Sequence, residues 1–387
     1  MSFAFDIPRR LKPGTARLEL RYSPSLAAAI VDALPYLMDY PYGCTEQSLN
    51  RFVPTVIAHK VLTDMGISLT ALPRTNTNLN AQELGDPAAR AAQWKRWNRA
   101  PVFDDALRGQ MVQEGLRRMQ VMQLSDGGWG WFSGARESAS PHLTALVVHG
   151  LHVARSCGTA LVPGVLERGI QWLSQFQEQQ LEDLTVTNKW HADNMDALVY
   201  MALADEGVTN DAMRAFLFRD RTRLTVYGKA MFALALHTLQ HTQELVMLLQ
   251  NLDQYVVEDA ENDTAWLTLD NGSYWWFWYG SEFEAQAYYL KLLARTDPRG
   301  ERAARLAKYL LNNRKHATYW NSTRDTALCI EALAEYLRAS GEAAPDMVVQ
   351  IIVDGRPRKE VHIIKENLFS FDNVFVLDAA ALAPGAH

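Results

Sequence analysis

The chain has 387 residues, 48% of them hydrophobic and 10% aromatic, with eleven tryptophans and a formal net charge of −6. That is enough apolar material for a large buried core, while the acidic balance and the absence of a Lys/Arg run argue against a nucleic-acid partner. No apolar run is long enough to cross a bilayer, and the opening MSFAFDIPRRLKPG lacks the basic start, apolar middle and cleavage site of a secretory signal. The three cysteines, Cys44, Cys157 and Cys329, are odd in number and widely spaced, which is no disulfide framework.

Residues 15–22, TARLELRY, alternate strictly: Ala16, Leu18, Leu20 and Tyr22 point one way, Arg17, Glu19 and Arg21 the other. This predicts a half-buried strand. From there to about residue 340 the pattern is helical. The spacing predicts helices over 48–62, 104–123, 140–156, 163–180, 194–206, 210–220, 225–240, 243–255, 281–296, 300–313 and 322–340. Ser281 with Glu284 and Ser322 with Asp325 read as capping boxes, and Pro141 after Ser140 fits a first helical position. Segments such as KAMFALALHTL are apolar on most sides, as in a helix buried within a bundle; GERAARLAKYLLNN is amphipathic and fits an outer layer. This alternation suggests helical hairpins closed into an α/α toroid. Near the end, MVVQIIVDGRPRKEVHII has β-branched runs on either side of Asp354-Gly355, a hairpin signal, and NLFSFDNVFVLDA reads as one more strand. The order of strand, helical block and strands implies a β-domain interrupted by a helical insertion. The β portions are too short to be complete, so the chain reads as a piece of something larger.

The stretch that carries chemistry is Tyr40–Gln47, YPYGCTEQ. Cys44 sits in a turn just before a helix, and a helix N-terminus lowers a thiol pKa. Gln47 lies three residues on, so a tight turn can hold its amide against the sulfur at high effective concentration. Attack by the sulfur with loss of ammonia would leave an internal thioester. Such a bond reacts with amines, hydroxyls and water, so it needs a dry pocket. Gly43 would permit a strained approach, and Tyr40 and Tyr42 would help exclude water.

PYGCTEQ resembles the thioester motif of the alpha-2-macroglobulin and complement family, Pro-Tyr-Gly-Cys-x-Glu-Gln. The resemblance continues through QLSDGGWGWFSG, PHLTALVV, SEFEAQAYYLKLLA and YWNSTRDTALCIEALAEYL, in that order and over most of residues 25–340. The tryptophan-rich SYWWFWYGSEFEAQAYY looks more like bacterial members. The resemblance implies a mainly α fold: an α6/α6 thioester domain over 25–342, inserted into a partial CUB-like β-domain formed by 1–24 and the returning strands of 343–387. It implies Cys44 and Gln47 as the thioester pair, Glu46 as the motif glutamate, and no external cofactor or metal. It also implies a single-use covalent trap, not a turnover enzyme: target proteases cleave a bait region elsewhere and are captured through their amines or hydroxyls. The remaining macroglobulin-like domains of the full chain would be partners, any membrane contact would come through an anchor outside this segment, and the location would be extracytoplasmic, in the periplasm or at the cell surface.

Some complement members carry a histidine soon after the segment matching DGGWGWFSG that steers reaction toward hydroxyls. Here the first histidine is His142, in the next helix. It is a candidate acyl-transfer residue; as a polar residue in a helix's first turn it needs no such role. Without such a histidine, direct aminolysis by lysine is expected. Trp129, Trp131, Trp275, Trp276 and Trp278 are candidates to shield the thioester, with core packing as the plainer reading. His149/His152 and His237/His241 are each one turn apart, as zinc ligands can be, but no carboxylate accompanies either pair in a known metal arrangement. The sequons at Asn271 and Asn321 matter only in a glycosylating pathway. QLSDGGWG also fits a repeat of triterpene cyclases, which are α/α toroids too, but the acidic cluster those enzymes need is absent, since Asp104-Asp105 sits at a helix start. An adhesin-like or opsonin-like thioester module, or one whose thioester never forms, is the remaining alternative.

Overall fold

A computed structural model of the chain describes residues 6–7, 17–23, 25–39, 43–72, 103–186, 188–269, 281–315, 317–343, 345–378 and 385–386. Twelve α-helices lie among the described residues. Six of them are α2 (Thr45–Asp64), α4 (Pro141–Ser156), α6 (Asn194–Asp205), α8 (Val226–Thr238), α10 (Glu282–Thr296) and α12 (Thr323–Ser340). These pack in that order, each on the next, and α12 returns to α2. The ring is therefore closed. The other six alternate with them in the chain: α1 (Leu26–Asp39), α3 (Asp105–Met122), α5 (Val165–Thr185), α7 (Asp211–Arg219), α9 (Thr242–Asp253) and α11 (Glu301–Asn312). Each packs outside the ring against one or two inner helices.

Side-chain patterning explains the two layers. Every residue of α8 from Val226 to Leu236 is buried, as is every residue of α10 from Phe283 to Ala294. Such helices can lie only where protein surrounds them. In α11 the buried residues are Ala303, Leu306, Ala307 and Leu310, one stripe at i, i+3, i+4 and i+7. Helix α1 was not predicted, because Pro35 interrupts its pattern. Its apolar residues Ala27, Ile30, Val31, Leu34, Leu37 and Met38 are buried where it packs on α12 and α2, and that burial outweighs the lost hydrogen bond.

The strands tie the chain ends together. β2 (Arg17–Arg21) pairs antiparallel with β7 (Val374–Asp378), Leu18 opposite Leu377 and Leu20 opposite Phe375; β1 (Asp6–Ile7) pairs with β8 (Gly385–Ala386). The predicted hairpin is present as β5 (Asp346–Val353) and β6 (Arg356–Ile364), with Asp354 and Gly355 both at positive φ (51° and 71°), as a two-residue primed turn requires. Leu18, Leu20 and Tyr22 pack against Ile351, Phe375 and Leu377 in a small core of their own, so the predicted inward face of the first strand is the one buried. The long helical block thus lies between strands that pair with one another. A further hairpin, β3 (Val256–Asp259) with β4 (Thr264–Leu267), sits against α11 and was not predicted. No helix among the described residues is long and apolar enough to cross a membrane.

Candidate functional site

Cys44 is the N-cap of α2, with extended backbone (φ −68°, ψ 170°). Its sulfur accepts from the Gln47 backbone N–H at 3.4 Å, and Gln47 Oε1 accepts from the Cys44 backbone N–H, also at 3.4 Å. This is a reciprocal capping box with cysteine in the place of serine or threonine. Sulfur is a weaker acceptor than a hydroxyl oxygen, so capping alone does not explain the cysteine. The box folds the Gln47 side chain back over the first turn toward residue 44. The Cys44 N–H also polarises the amide carbonyl, as a donor must to favour attack at that carbon.

Cys44 is buried at 8% exposure, whereas Gly43 is exposed and Gln47 half-buried. Burial pushes the Cys44 thiol above its ordinary pKa; the Gln47 N–H opposes this, and the Glu46 carboxylate adds to it. The helix start therefore does not lower this pKa as expected, because desolvation outweighs the N–H groups. The backbone expectation for Gly43 is also corrected. Gly43 does not adopt a positive φ; a Cβ there would meet the guanidinium of Arg118, the mobile end of a long side chain.

The turn is anchored from one side by the loop between α3 and α4. Thr45 is fully buried; its N–H donates to Trp131 O at 3.0 Å and its hydroxyl to Gly130 O at 2.6 Å. Arg118, on α3, reaches Gly43 O and Ser48 Oγ at 3.5 and 3.3 Å. On the other side, Glu46 faces Arg324 of α12, Oε2 to Nη1 3.9 Å, and Arg324 Nη2 lies 3.6 Å from Glu284 Oε2 of α10. Burial raises both the Glu46 and Glu284 carboxyls, with Arg324 opposing. Sequence reasoning missed Thr45, Arg324 and Glu284. The available signal was the pair of expected capping boxes. Ser281 and Ser322 do cap their helices, but Glu284 faces Arg324, and Asp325 accepts from the Ser281 hydroxyl. The expected boxes are therefore only half formed: the serines cap, and the acid side chains turn instead to contacts between helices.

Trp129 is wholly buried, but its indole N–H donates to Met119 O, and its ring meets Gly169 of α5. Its side chain is thus a core residue between outer and inner helices, while its neighbours Gly130 and Trp131 contact Thr45 through their backbone. Tyr40, Tyr42, Trp275, Trp276 and Trp278 lie outside the described residues. His142 is buried in the first turn of α4; burial, then the nearby Arg324 cation, pushes its pKa down to about 3.

The other sequence features take structural roles. Asp104 caps α3 by accepting from the Leu107 N–H at 2.9 Å. Gln123 Nε2 donates to Gly127 O and Val165 O at 2.9 and 2.8 Å, and Trp172 donates to Asp126 at 3.1 Å, so QLSDGGWG staples the end of α3 to α5. His149 lies between Asp205 and Glu331, and His152 beside Glu206. No group of three or more metal-ligating side chains is placed to hold an ion among the described residues. Asn321 is exposed, one residue before the α12 cap.

A family model described as the A-macroglobulin TED domain matches residues 22–336. Curated relatives include the alpha-2-macroglobulin of Thermotoga maritima, 24% identical over 82% of this chain and 15% of its own length. Another is thioester-containing protein 1, allele R1, of Anopheles gambiae, 19% identical over 89% of this chain and 24% of its own. The chain therefore spans less than a quarter of the length of these relatives. Among solved structures, the fold is similar to that of Salmonella alpha-2-macroglobulin reacted with methylamine: TM-score 0.58, 19% identity, 99% of this chain and 22% of that one. It is also similar to native Escherichia coli alpha-2-macroglobulin from domain MG7 to the C-terminus: TM-score 0.56, 17% identity, 99% of this chain and 52% of that one. The family's reactive group is an internal thioester, not an external cofactor, and its macroglobulins are protease inhibitors rather than catalytic enzymes. With the family match covering most of its length, the chain belongs to the A-macroglobulin TED domain family.

Proposed function

We propose that this domain stores an internal thioester between Cys44 and Gln47 and uses it once, to capture a target protease covalently. The observation that carries the reading is the reciprocal cap, which places the buried sulfur and the amide on one helical turn. In formation, Cys44 Sγ attacks Gln47 Cδ, the C–N bond breaks, and the thiol proton leaves with the nitrogen as ammonia. In capture, a target amine attacks Cδ, the C–S bond breaks, and Cys44 departs as a thiol with the amine's proton. A hydroxyl would react in the same way. His142 is not needed for the first of these reactions, and a base with its pKa pushed to about 3 is a poor proton acceptor. Glu46 and the residue 129–131 loop hold the turn.

In this reading residues 25–342 form the thioester domain. Segments 1–24 and 343–387 belong to a β-domain of CUB type completed by the rest of a longer chain. That chain would supply the bait region, the other macroglobulin-like domains and the extracytoplasmic location. The methylamine-reacted Salmonella relative suggests the test. Intact mass and a thiol assay are taken before and after methylamine. The expected result is a starting mass short by one ammonia, then addition of methylamine at Gln47 with one new thiol at Cys44. Full calculated mass and no methylamine response in the full-length protein would overturn the reading.

A further inference from the structure

We propose that Arg324 is a positioning residue for the Cys44–Gln47 pair: its guanidinium joins Glu46 on α2 to Glu284 on α10 and so sets the seat of the first turn of α2 and the charge facing the sulfur. The inference rests on the thioester reading above and extends it to a residue outside the motif.

Three consecutive inner helices, α10, α12 and α2, meet at this one side chain. Arg324 is the second residue of α12 and its side chain is 12% exposed; the Glu46 and Glu284 side chains it faces are 13% and 2% exposed. Glu46 is two residues from Cys44 and one from Gln47, on the same first turn. Because Glu46 shares this turn with the sulfur and the amide, its pairing with Arg324 fixes where the turn sits against α12. Asp325, the next residue on α12, accepts from Ser281 at the start of α10, so the α10–α12 seam is tied twice at this level. A guanidinium suits the position because its planar fork can face two carboxylates from two helices, which a lysine ammonium does less well.

The charge balance points the same way. Three carboxyls, Glu46, Glu284 and Asp325, surround Arg324 at the starts of α2, α10 and α12. Without the cation they would share a buried site as like charges. Other charged or titratable groups near the turn and its cation are Arg118 and Glu114 on α3, His142 on α4, Tyr227 on α8 and Tyr288 on α10, the two tyrosines facing Glu284 and Arg324. The Glu46 carboxylate disfavours the Cys44 thiolate, and Arg324 offsets that charge. The same thiolate is the leaving group when an amine opens the thioester.

The test separates position from charge. In a chain carrying Gln47→Ala, which cannot form the thioester, and Cys157→Ser, the rate of Cys44 alkylation by iodoacetamide is followed against pH by peptide mass. At the alkaline pH where a thiol ionises, the carboxyls are charged. Arg324→Met is therefore expected to slow alkylation about threefold to tenfold at fixed pH and to move the profile upward, and Glu46→Gln to move it downward. In the chain with Gln47 intact, Arg324→Met should lower the fraction carrying the thioester. Arg324→Lys, which keeps the charge but not the fork, should restore the pH profile and only part of the thioester fraction. Unchanged alkylation profiles in both Arg324→Met and Glu46→Gln would overturn the proposal; if Arg324→Met does not fold, Glu46→Gln and Arg324→Lys decide it. The alkylation arm needs no thioester. A shifted profile in a protein that never responds to methylamine would therefore count against the thioester reading and not against the placement of Arg324.

Discussion

Replacing His149 with Gln should remove most of a loss of stability that the parent chain suffers between neutral and alkaline pH. His149 lies on α4 inside the ring, 6% exposed. Its Nδ1 is 2.7 Å from Asp205 on α6 and its Nε2 2.9 Å from Glu331 on α12, while Lys291 on α10 bonds the same Glu331 oxygen. A carboxylate beside each ring nitrogen favours donation from both, hence a charged imidazolium, while Lys291 Nζ, 3.2 Å from Nε2, opposes that charge. The group is then two cations with two anions, drawn from four inner helices. Burial opposes the charge on His149, but the Glu331 carboxylate, with the Asp205 and Glu331 hydrogen bonds, raises its pKa to about 9. The folded pKa lies above the ordinary 6.5, so the stabilisation is complete below about pH 6.5 and is lost as pH rises through about 9. At about 1.4 kcal/mol per tenfold change, moving from 6.5 to about 9 is worth roughly 3 kcal/mol. Urea unfolding followed by tryptophan fluorescence, from about pH 6 to about pH 10, measures it. The parent should lose a large part of those roughly 3 kcal/mol across that range, and His149→Gln should be less stable at the low end with a flatter profile. Parallel profiles for the two proteins would refute a charged His149.

Thr45→Val keeps the shape of a buried side chain but deprives Gly130 O of its 2.6 Å donor. It should cost about 1–3 kcal/mol in urea unfolding and, by loosening the loop over the turn, speed hydrolysis of the proposed thioester, read as earlier appearance of the Cys44 thiol. Gln123→Ala removes the two donors to Gly127 O and Val165 O. It should cost a similar amount, about 1–3 kcal/mol, in thermal or urea unfolding while leaving the methylamine-reactive fraction unchanged. A loss of methylamine response there would mean the staple also shapes the site.

Much of the architecture was legible because local signals agreed with the tertiary answer. The all-apolar KAMFALALHTL and the one-sided GERAARLAKYLLNN became an inner and an outer helix, since a helix apolar on every side has nowhere else to go. Asp354-Gly355 became the hairpin turn because both positions need positive φ. The misses share a cause. Pro35 breaks the periodicity of α1 and hid a helix that is held by packing on α12 and α2. The short β3–β4 hairpin has little alternation and is held against α11.

The site divides along the same line. Cys44 and Gln47 could be singled out from sequence because i and i+3 at a helix start are neighbours by covalent geometry, so their chemistry is local. The environment of that pair is not local. Arg324 and Glu284 stand some 280 and 240 residues along the chain from it, and only closure of the ring through α10, α12 and α2 brings them beside Glu46. The direction of the Cys44 pKa likewise belonged to the tertiary structure, because desolvation by packed neighbours, not the helix start, is the larger effect. Sequence alone determined that a cysteine and a glutamine stand three residues apart at a helix start; the fold decided how dry the sulfur is, which charges face it, and what holds the turn in place.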